Sequence, residues 1–203
     1  MDAVESSGTV RQLGWGEGEW LNPPVRALPL GDGELVVTAK PETDFWRTTA
    51  YGFVHDDGHG LLAPLPAGTA MEVSFVVDYD RQFDQAGLLV RVDAENWVKT
   101  GLEYCDGVVQ LGAVVTRDLS DWSSAPVPEW AGRTVTVRAS RAGDALTVRA
   151  RVDREAWRLV RLAPLAPDAV ATAGPYCCAP TRDGLTVRFT GWTHGPADAA
   201  LHE

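Results

Sequence analysis

The chain has almost no lysine: two, Lys40 and Lys99, against sixteen arginines. It also has only three cysteines, and no excess of positive charge, the formal net charge being −10. Each scarcity excludes something. Three cysteines leave no paired framework, and the neighbours Cys177 and Cys178 would form a strained bridge. No Cys-x-x-Cys spacing occurs, and the one His-x-x-x-His, His55 to His59, has no helix to align its two rings, so zinc-type ligation has no good template and no metal or other cofactor is expected. A charge of −10 has the wrong sign for the phosphates of nucleic acid and for an anionic membrane surface. No apolar run approaches the roughly 20 residues that cross a bilayer as a helix. The opening Met1-Asp2-Ala3-Val4-Glu5-Ser6-Ser7 lacks the basic and apolar regions of a secretory signal. These absences predict inert, reduced core thiols and a cytoplasmic protein.

What is present is strand after strand. Runs rich in β-branched and aromatic residues recur, among them Glu34–Ala39, Ala70–Tyr79, Gly87–Val92, Asn96–Tyr104 and Val108–Thr116. Others are Thr134–Ala139, Leu146–Val152, Trp157–Leu162 and Leu185–Thr190. Asp32-Gly33, Asp57-Gly58, Asp106-Gly107, Gly143-Asp144 and Asp183-Gly184 each separate two such runs and predict hairpin connections. Proline is expected only in loops, as at Pro23-Pro24, Pro126 to Pro128 and Pro164 to Pro167. Many short, evenly spaced strands with no long helix predict an all-β antiparallel sandwich or jelly roll. No boundary divides residues 1–203, which read as one domain, with the first dozen residues and the tail from Pro196 frayed.

Parity sorts the faces. Successive side chains of a strand point to opposite sides. In Asn96–Tyr104, Val98, Thr100, Leu102 and Tyr104 are the more apolar set and should face the core. Trp97, Lys99 and Glu103 then share the other face, Lys99 and Glu103 roughly 13 Å apart at about 3.3 Å per residue. In the preceding run Ala86, Leu88, Val90 and Val92 take one side and Gln85, Gly87, Leu89 and Arg91 the other. A hairpin through Asp93-Ala94-Glu95-Asn96 would set Arg91 near Lys99 or Gly101, and Gln85 near Glu103 to Asp106. A lysine inside a strand is not a casual choice in a chain that otherwise uses arginine, because its ammonium is a compact donor with a shiftable pKa.

Three clusters mix aromatics with polar groups in a way neither strand nor helix periodicity explains. They are Thr43-Asp44-Phe45-Trp46-Arg47-Thr48-Thr49-Ala50-Tyr51-Gly52, Tyr79 to Gly87, and Ser120-Asp121-Trp122-Ser123. Plainer accounts exist for each. Asp44 could cap a turn and pair with Arg47, Asp84 could end a strand in a bulge, and Ser120 and Asp121 could make turn hydrogen bonds. A solvated face would account for Lys99 and Glu103. His55 and His59, around Asp56-Asp57-Gly58, read as a solvated turn, and Trp157 and Trp192 as core.

In this order, Thr43-Asp44-Phe45-Trp46-Arg47, Tyr51-Gly52, Asp84-Gln85-Ala86-Gly87 and Trp97-Val98-Lys99-Thr100-Gly101-Leu102-Glu103 resemble a known family. Val115-Thr116 through Ser120-Asp121-Trp122-Ser123, Val160-Arg161-Leu162 and Gly174-Pro175-Tyr176 to Ala179-Pro180 extend the likeness across residues 20 to 192. It is the concanavalin A-like family of unknown function that includes the fungal regulation-of-enolase proteins. Cys177-Cys178 departs from it, since the family tends to have small residues there. The resemblance implies a jelly-roll sandwich of two curved antiparallel sheets, the architecture of legume-type lectins and many glucanases, with ligands across the concave sheet. It implies no established activity.

Three functions follow as expectations. The first is binding of a carbohydrate, polyol or similar small polar ligand. Trp46, Tyr51, Trp97 and Trp122 would stack on it, and Asp44, Arg47, Asp84, Gln85, Lys99, Glu103 and Asp121 would supply polar contacts. The second is a glycoside hydrolase on the same face, with Glu103 and Lys99 as catalytic candidates. Retaining cleavage needs carboxyls about 5–5.5 Å apart and inverting cleavage about 6.5–9.5 Å. The Glu-x-Asp-x-Glu strand of the fold's glucanases is absent, and Lys99 is expected to depress the Glu103 pKa, the wrong direction for a general acid. The third is a protein-interaction role, regulating a metabolic enzyme.

Overall fold

The structure, a computed structural model, describes residues 9–202; the Met1–Ser7 segment lies outside them. In chain order the first strands are β1 (Arg11–Gln12), β2 (Glu19–Leu21), β3 (Arg26–Pro29), β4 (Leu35–Thr38), β5 (Phe45–Arg47) and β6 (Val54–Asp56). Next come β7 (His59–Pro64), β8 (Thr69–Val76), β9 (Gln85–Arg91), β10 (Asn96–Cys105), β11 (Val108–Arg117) and β12 (Leu119–Pro126). The last are β13 (Thr134–Ala142), β14 (Ala145–Val152), β15 (Arg158–Pro164), β16 (Thr172–Cys178) and β17 (Thr186–Pro196). One 3-10 turn, Pro128–Trp130, interrupts them. Among the described residues no helix is long and apolar enough to cross a membrane.

Two antiparallel sheets form the sandwich. One runs β15-β14-β13-β8-β17-β4-β3, with β1 beside β17, and the other β12-β11-β10-β9-β16-β7-β2. Alternating side chains fill the space between them: Val73 and Phe75, Val135 and Val137, and Val187 and Phe189 from the first sheet. Leu88, Val90, Val98 and Leu102 face them from the second. β10 therefore follows the predicted parity, and Trp97, Lys99 and Glu103 sit on the outer side of its sheet.

The turns explain much of the order. Asp106 (φ 55°) and Gly107 (φ 82°) supply the two left-handed residues of a tight β10–β11 reversal. Gly143-Asp144 joins β13 to β14, and Asp32-Gly33 joins β3 to β4. Asp57-Gly58 and Asp183-Gly184 are not hairpins: β6 and β7, and β16 and β17, lie in different sheets. A turn dipeptide reverses the chain locally without dictating which neighbour the next strand joins. β9 and β10 pair with Gln85 opposite Glu103 as expected, but Arg91 opposite Trp97 rather than Lys99 or Gly101.

Three other expectations change. Pro126 and Pro164, expected in loops, end β12 and β15. Pro175 lies inside β16, opposite Leu88 of β9, where the ladder to β7 skips between Ala173 and Tyr176 because a proline has no N–H to offer. The tail past Pro196 is tied down: Asp198 binds Arg138 and Arg149, and Leu201 O accepts from Arg149. At the other end Arg11 and Gln12 pair with β17, and Leu13 is buried. The opposed Gly87 and Gly101 mark an unusually close strand approach. A Cβ on either would fall 2.0–2.1 Å from a carbonyl oxygen of the facing strand.

Candidate functional site

The hairpin β5–β6 pairs with neither large sheet. It rests on the outer face of the seven-stranded sheet, where Phe45 and Trp46 pack with Leu89, Trp97, Val114 and Tyr176. Polar ties fix its position. Arg91 makes a two-pronged pair with Asp56 at 2.6 and 2.8 Å, and Asn22 Nδ2 donates to Asp56 O and Gly58 O. Arg47 donates its backbone N–H to Ser120 Oγ and its guanidinium to Glu95 and Asp118.

A cleft of about 550 Å³ opens beside the hairpin on this face. That is within the range of small-molecule sites. Its walls are Trp46, Tyr51, Phe53, Phe83, Val114, Trp122 and Pro180, and its polar groups are Glu42, Asp44, His55, Lys99, Glu103 and Thr181. Trp46 meets Tyr51 and Trp122 edge-on, at 5.5 and 6.4 Å between ring centroids, while Tyr51 stacks on Phe53 at 5.4 Å. Tyr51 and Phe53 remain exposed, leaving apolar surface at the cleft.

The polar floor is a network. Lys99, only 4% exposed, donates from Nζ to Asp44 Oδ1 at 2.7 Å and to Gln85 Oε1 at 2.8 Å. Gln85 Nε2 also donates to Asp44 Oδ1, at 3.2 Å, as does the Phe45 N–H at 2.7 Å. Burial works against the ammonium, but the Asp44 carboxylate, helped by Cys178 and Glu103, leaves the Lys99 pKa above its ordinary value. Glu103 is different. Among the described residues its half-buried carboxyl accepts no hydrogen bond. Burial pushes its pKa up to about 7, with Asp44 and Asp106 adding to the rise and Lys99 opposing it. Lys99 does lower the Glu103 pKa as expected, but the net shift is upward, because desolvation outweighs one cation already engaged by Asp44.

Asp44, Trp46, Tyr51, Lys99, Glu103 and Trp122 thus line one cleft, with Gln85 bound beneath them. Four other expected residues do not join them. Arg47 reaches the other way, to Glu95 and Asp118, and not to Asp44. Asp84 is fully buried in a pair with Arg182 at 2.8 Å, and Asp121 pairs with Arg161 at 2.8 Å. Trp97 has the right parity but is 3% exposed under Phe45, so it stacks on the protein itself. One rule covers the first three. Trp46 and Arg47, Asp84 and Gln85, and Asp121 and Trp122 are adjacent residues, and an extended chain sends neighbours to opposite sides.

Glu42, Phe53, His55, Phe83, Val114, Pro180 and Thr181 were not anticipated in the cleft. Val114 had a signal, since it lies opposite both Lys99 and Trp122 in the β10–β11–β12 ladder. Most of the others come from loops that sequence spacing does not place. His59 is no solvated turn residue: it is 1% exposed, bonding Asn22 O through Nδ1 at 2.6 Å and accepting the Lys40 N–H at Nε2. Burial lowers its pKa, consistent with a neutral ring. Trp192 is core, but Trp157 is half-buried under the Arg151 guanidinium. Cys105, Cys177 and Cys178 are buried and unpaired, and burial raises all three thiol pKa values. Among the described residues no group of three or more His, Cys, Asp or Glu is placed to hold a metal ion.

Comparison with known proteins adds the following. "Regulation of enolase protein 1" of Saccharomyces cerevisiae is 36% identical over 188 residues, covering 92% of this chain and 94% of that one. A crystal structure of a functionally unknown protein from Saccharomyces cerevisiae superposes with TM-score 0.85 at 34% identity, covering 93% of this chain and all of that one. The GH43 protein BlXynB of Bacillus licheniformis shares the fold at TM-score 0.62 and 12% identity, over 81% of this chain and 33% of that one. A family model described as a protein of unknown function, DUF1349, matches residues 20–197, and the chain belongs to that family.

Proposed function

We propose that the cleft binds a carbohydrate or polyol, without turnover, and that the chain works as one domain. One observation carries the reading: Glu103, a carboxyl without a hydrogen-bond partner among the described residues, stands on a networked polar floor beneath aromatic walls. Flat apolar sugar faces suit Trp122, Tyr51 and Phe53, while hydroxyls suit groups that both donate and accept. Three unpaired buried thiols support a reducing, cytoplasmic setting.

Two further readings each have a specific observation behind them. A carboxyl titrating near 7 in the same cleft as Asp44 has the poise of a general acid, which favours a hydrolase more than the sequence did. The name of the yeast relative favours regulation of a metabolic enzyme through a protein contact, for which exposed Tyr51, Phe53 and Val54 offer apolar surface.

A glycan and polyol binding screen on wild type, Trp122→Ala and Glu103→Gln, with product analysis of every hit, separates the three. Binding without products, weakened at least ~10-fold by Trp122→Ala, is the expected result. Products that vanish with Glu103→Gln while binding persists would establish the hydrolase. Failure of every sugar, with direct binding to purified enolase, would establish the regulator.

A further inference from the structure

The donors and acceptors of the cleft floor do not balance, and the imbalance says what a ligand must bring. Lys99 has three N–H donors and spends two on Asp44 Oδ1 and Gln85 Oε1, leaving one. Asp44 receives its three bonds on Oδ1 alone, so Oδ2 is open among the described residues. Both Glu103 oxygens are open as well. Glu42, also on the cleft wall, sits in the left-handed region at φ 59° and adds a further carboxylate. Acceptors therefore outnumber the donor left over. The charge points the same way: Lys99 is matched by Asp44, so Glu103 and Glu42 leave the cleft negative once Glu103 is ionised. Aromatic faces add to the pull on a cation.

We propose that the preferred ligand is an amino sugar or aminated polyol, its protonated primary amine bound by the Glu103 carboxylate. The inference rests on the sugar-binding reading and narrows it. Hydroxyls on the same ligand take Asp44 Oδ2 and the remaining Lys99 N–H, and its apolar face lies on Trp122. A quaternary ammonium would meet the aromatic rings but bring no N–H to the open carboxylates. An anionic sugar would meet like charge.

Binding of the ammonium favours the ionised form of Glu103, so a carboxyl that is protonated in the free protein gives up its proton on binding. The groups around it are Lys99 and Cys105 on its own strand, Asp106 in the following turn, and Asp44 beside β5. Tyr79 on the core side and Tyr176 on β16 also feel its charge. The two tyrosines and Cys105 have pKa values raised by burial, while Glu103 titrates near 7. Glu42 and His55 also line the cleft, so loss of the proton release in Glu103→Gln is what assigns it to Glu103.

The test is calorimetric titration with D-glucosamine, D-glucose, N-acetyl-D-glucosamine and choline, near pH 6.5 and in two buffers of different ionisation enthalpy. D-glucosamine should bind at least ~10-fold tighter than the two neutral sugars and release most of one proton, and its affinity should rise several-fold from about pH 5.5 to 6.5. Glu103→Gln, checked for folding by its thermal transition, should abolish both the preference and the proton release while leaving weak sugar binding. Equal binding of all three sugars with no proton release would overturn the ammonium and leave sugar binding intact. Binding of choline alone, or of no probe, would overturn both.

Discussion

Single residues decide the site, and the residue with the strongest claim is Glu103. Its folded pKa near 7 lies above the ordinary carboxyl value, so the folded state holds a proton that the unfolded chain has released. Stability is then highest below the unfolded pKa and falls as pH rises from there through about 7, after which the loss is complete. Glu103→Gln removes the titration, so the variant should match wild type near pH 5 and exceed it by about 1–2 kcal/mol near pH 8, allowing for solvent at a half-buried group. Urea melts at the two pH values check this, and a variant equally stabilised at both would contradict it. Lys99 and Asp44 behave oppositely. Asp44→Asn strands a buried ammonium and should cost about 2–4 kcal/mol, while the double change Asp44→Asn with Lys99→Met should cost less than the sum of its parts. Strict additivity in a double-mutant cycle would show that the pair does not interact.

At the scale of elements, the hairpin β5–β6 makes the cleft by covering only part of a sheet face. It adds no backbone ladder to either sheet, so its seat depends on Phe45 and Trp46 and on a few polar ties. The Arg91–Asp56 pair is the tightest of these ties and stands away from the cleft lining. Arg91→Ala should raise amide exchange across residues 45–56 and weaken ligand binding through the hairpin alone. Unchanged exchange in that segment would place the anchoring elsewhere. Gly101 makes a different demand: a methyl there meets the Ala86 carbonyl at 2.1 Å, which backbone must move to relieve. Gly101→Ala should cost about 1–3 kcal/mol, read from chemical denaturation. The longer strands, β4, β8 to β11, β13 to β15 and β17, were legible in the sequence because alternation and turn dipeptides are local. By contrast, β5 and β12 lie in the Thr43–Gly52 and Ser120–Ser123 clusters, whose mix of polar and aromatic residues hides the alternation. Which sheet each strand joins was not, as Asp57-Gly58 and Asp183-Gly184 show. The site was half legible for the same reason. Parity placed Lys99 and Glu103 on β10, and applied to Arg47, Asp84 and Asp121 it would have turned each of them away from its cleft-facing neighbour. Phe83, Pro180 and Thr181 arrive through tertiary contacts that no short window contains.

Over the whole molecule, the sandwich core and the cleft are separate systems on the two sides of one sheet. The inner face of β10 holds Val98 and Leu102 in the core, and its outer face carries Lys99 and Glu103. Substitutions in the cleft can therefore alter binding while the core keeps the fold. The yeast relative, similar over 92% of this chain, makes the two proteins comparable along nearly their whole length. The central claim is that a hydroxylated ligand occupies the cleft. A crystal structure of the protein soaked with D-glucosamine tests it most directly. Density for the sugar against Trp122, with its amine on Glu103 and a hydroxyl on Asp44 or Lys99, is the predicted result. A sugar bound elsewhere on the surface with the cleft unfilled would contradict the account.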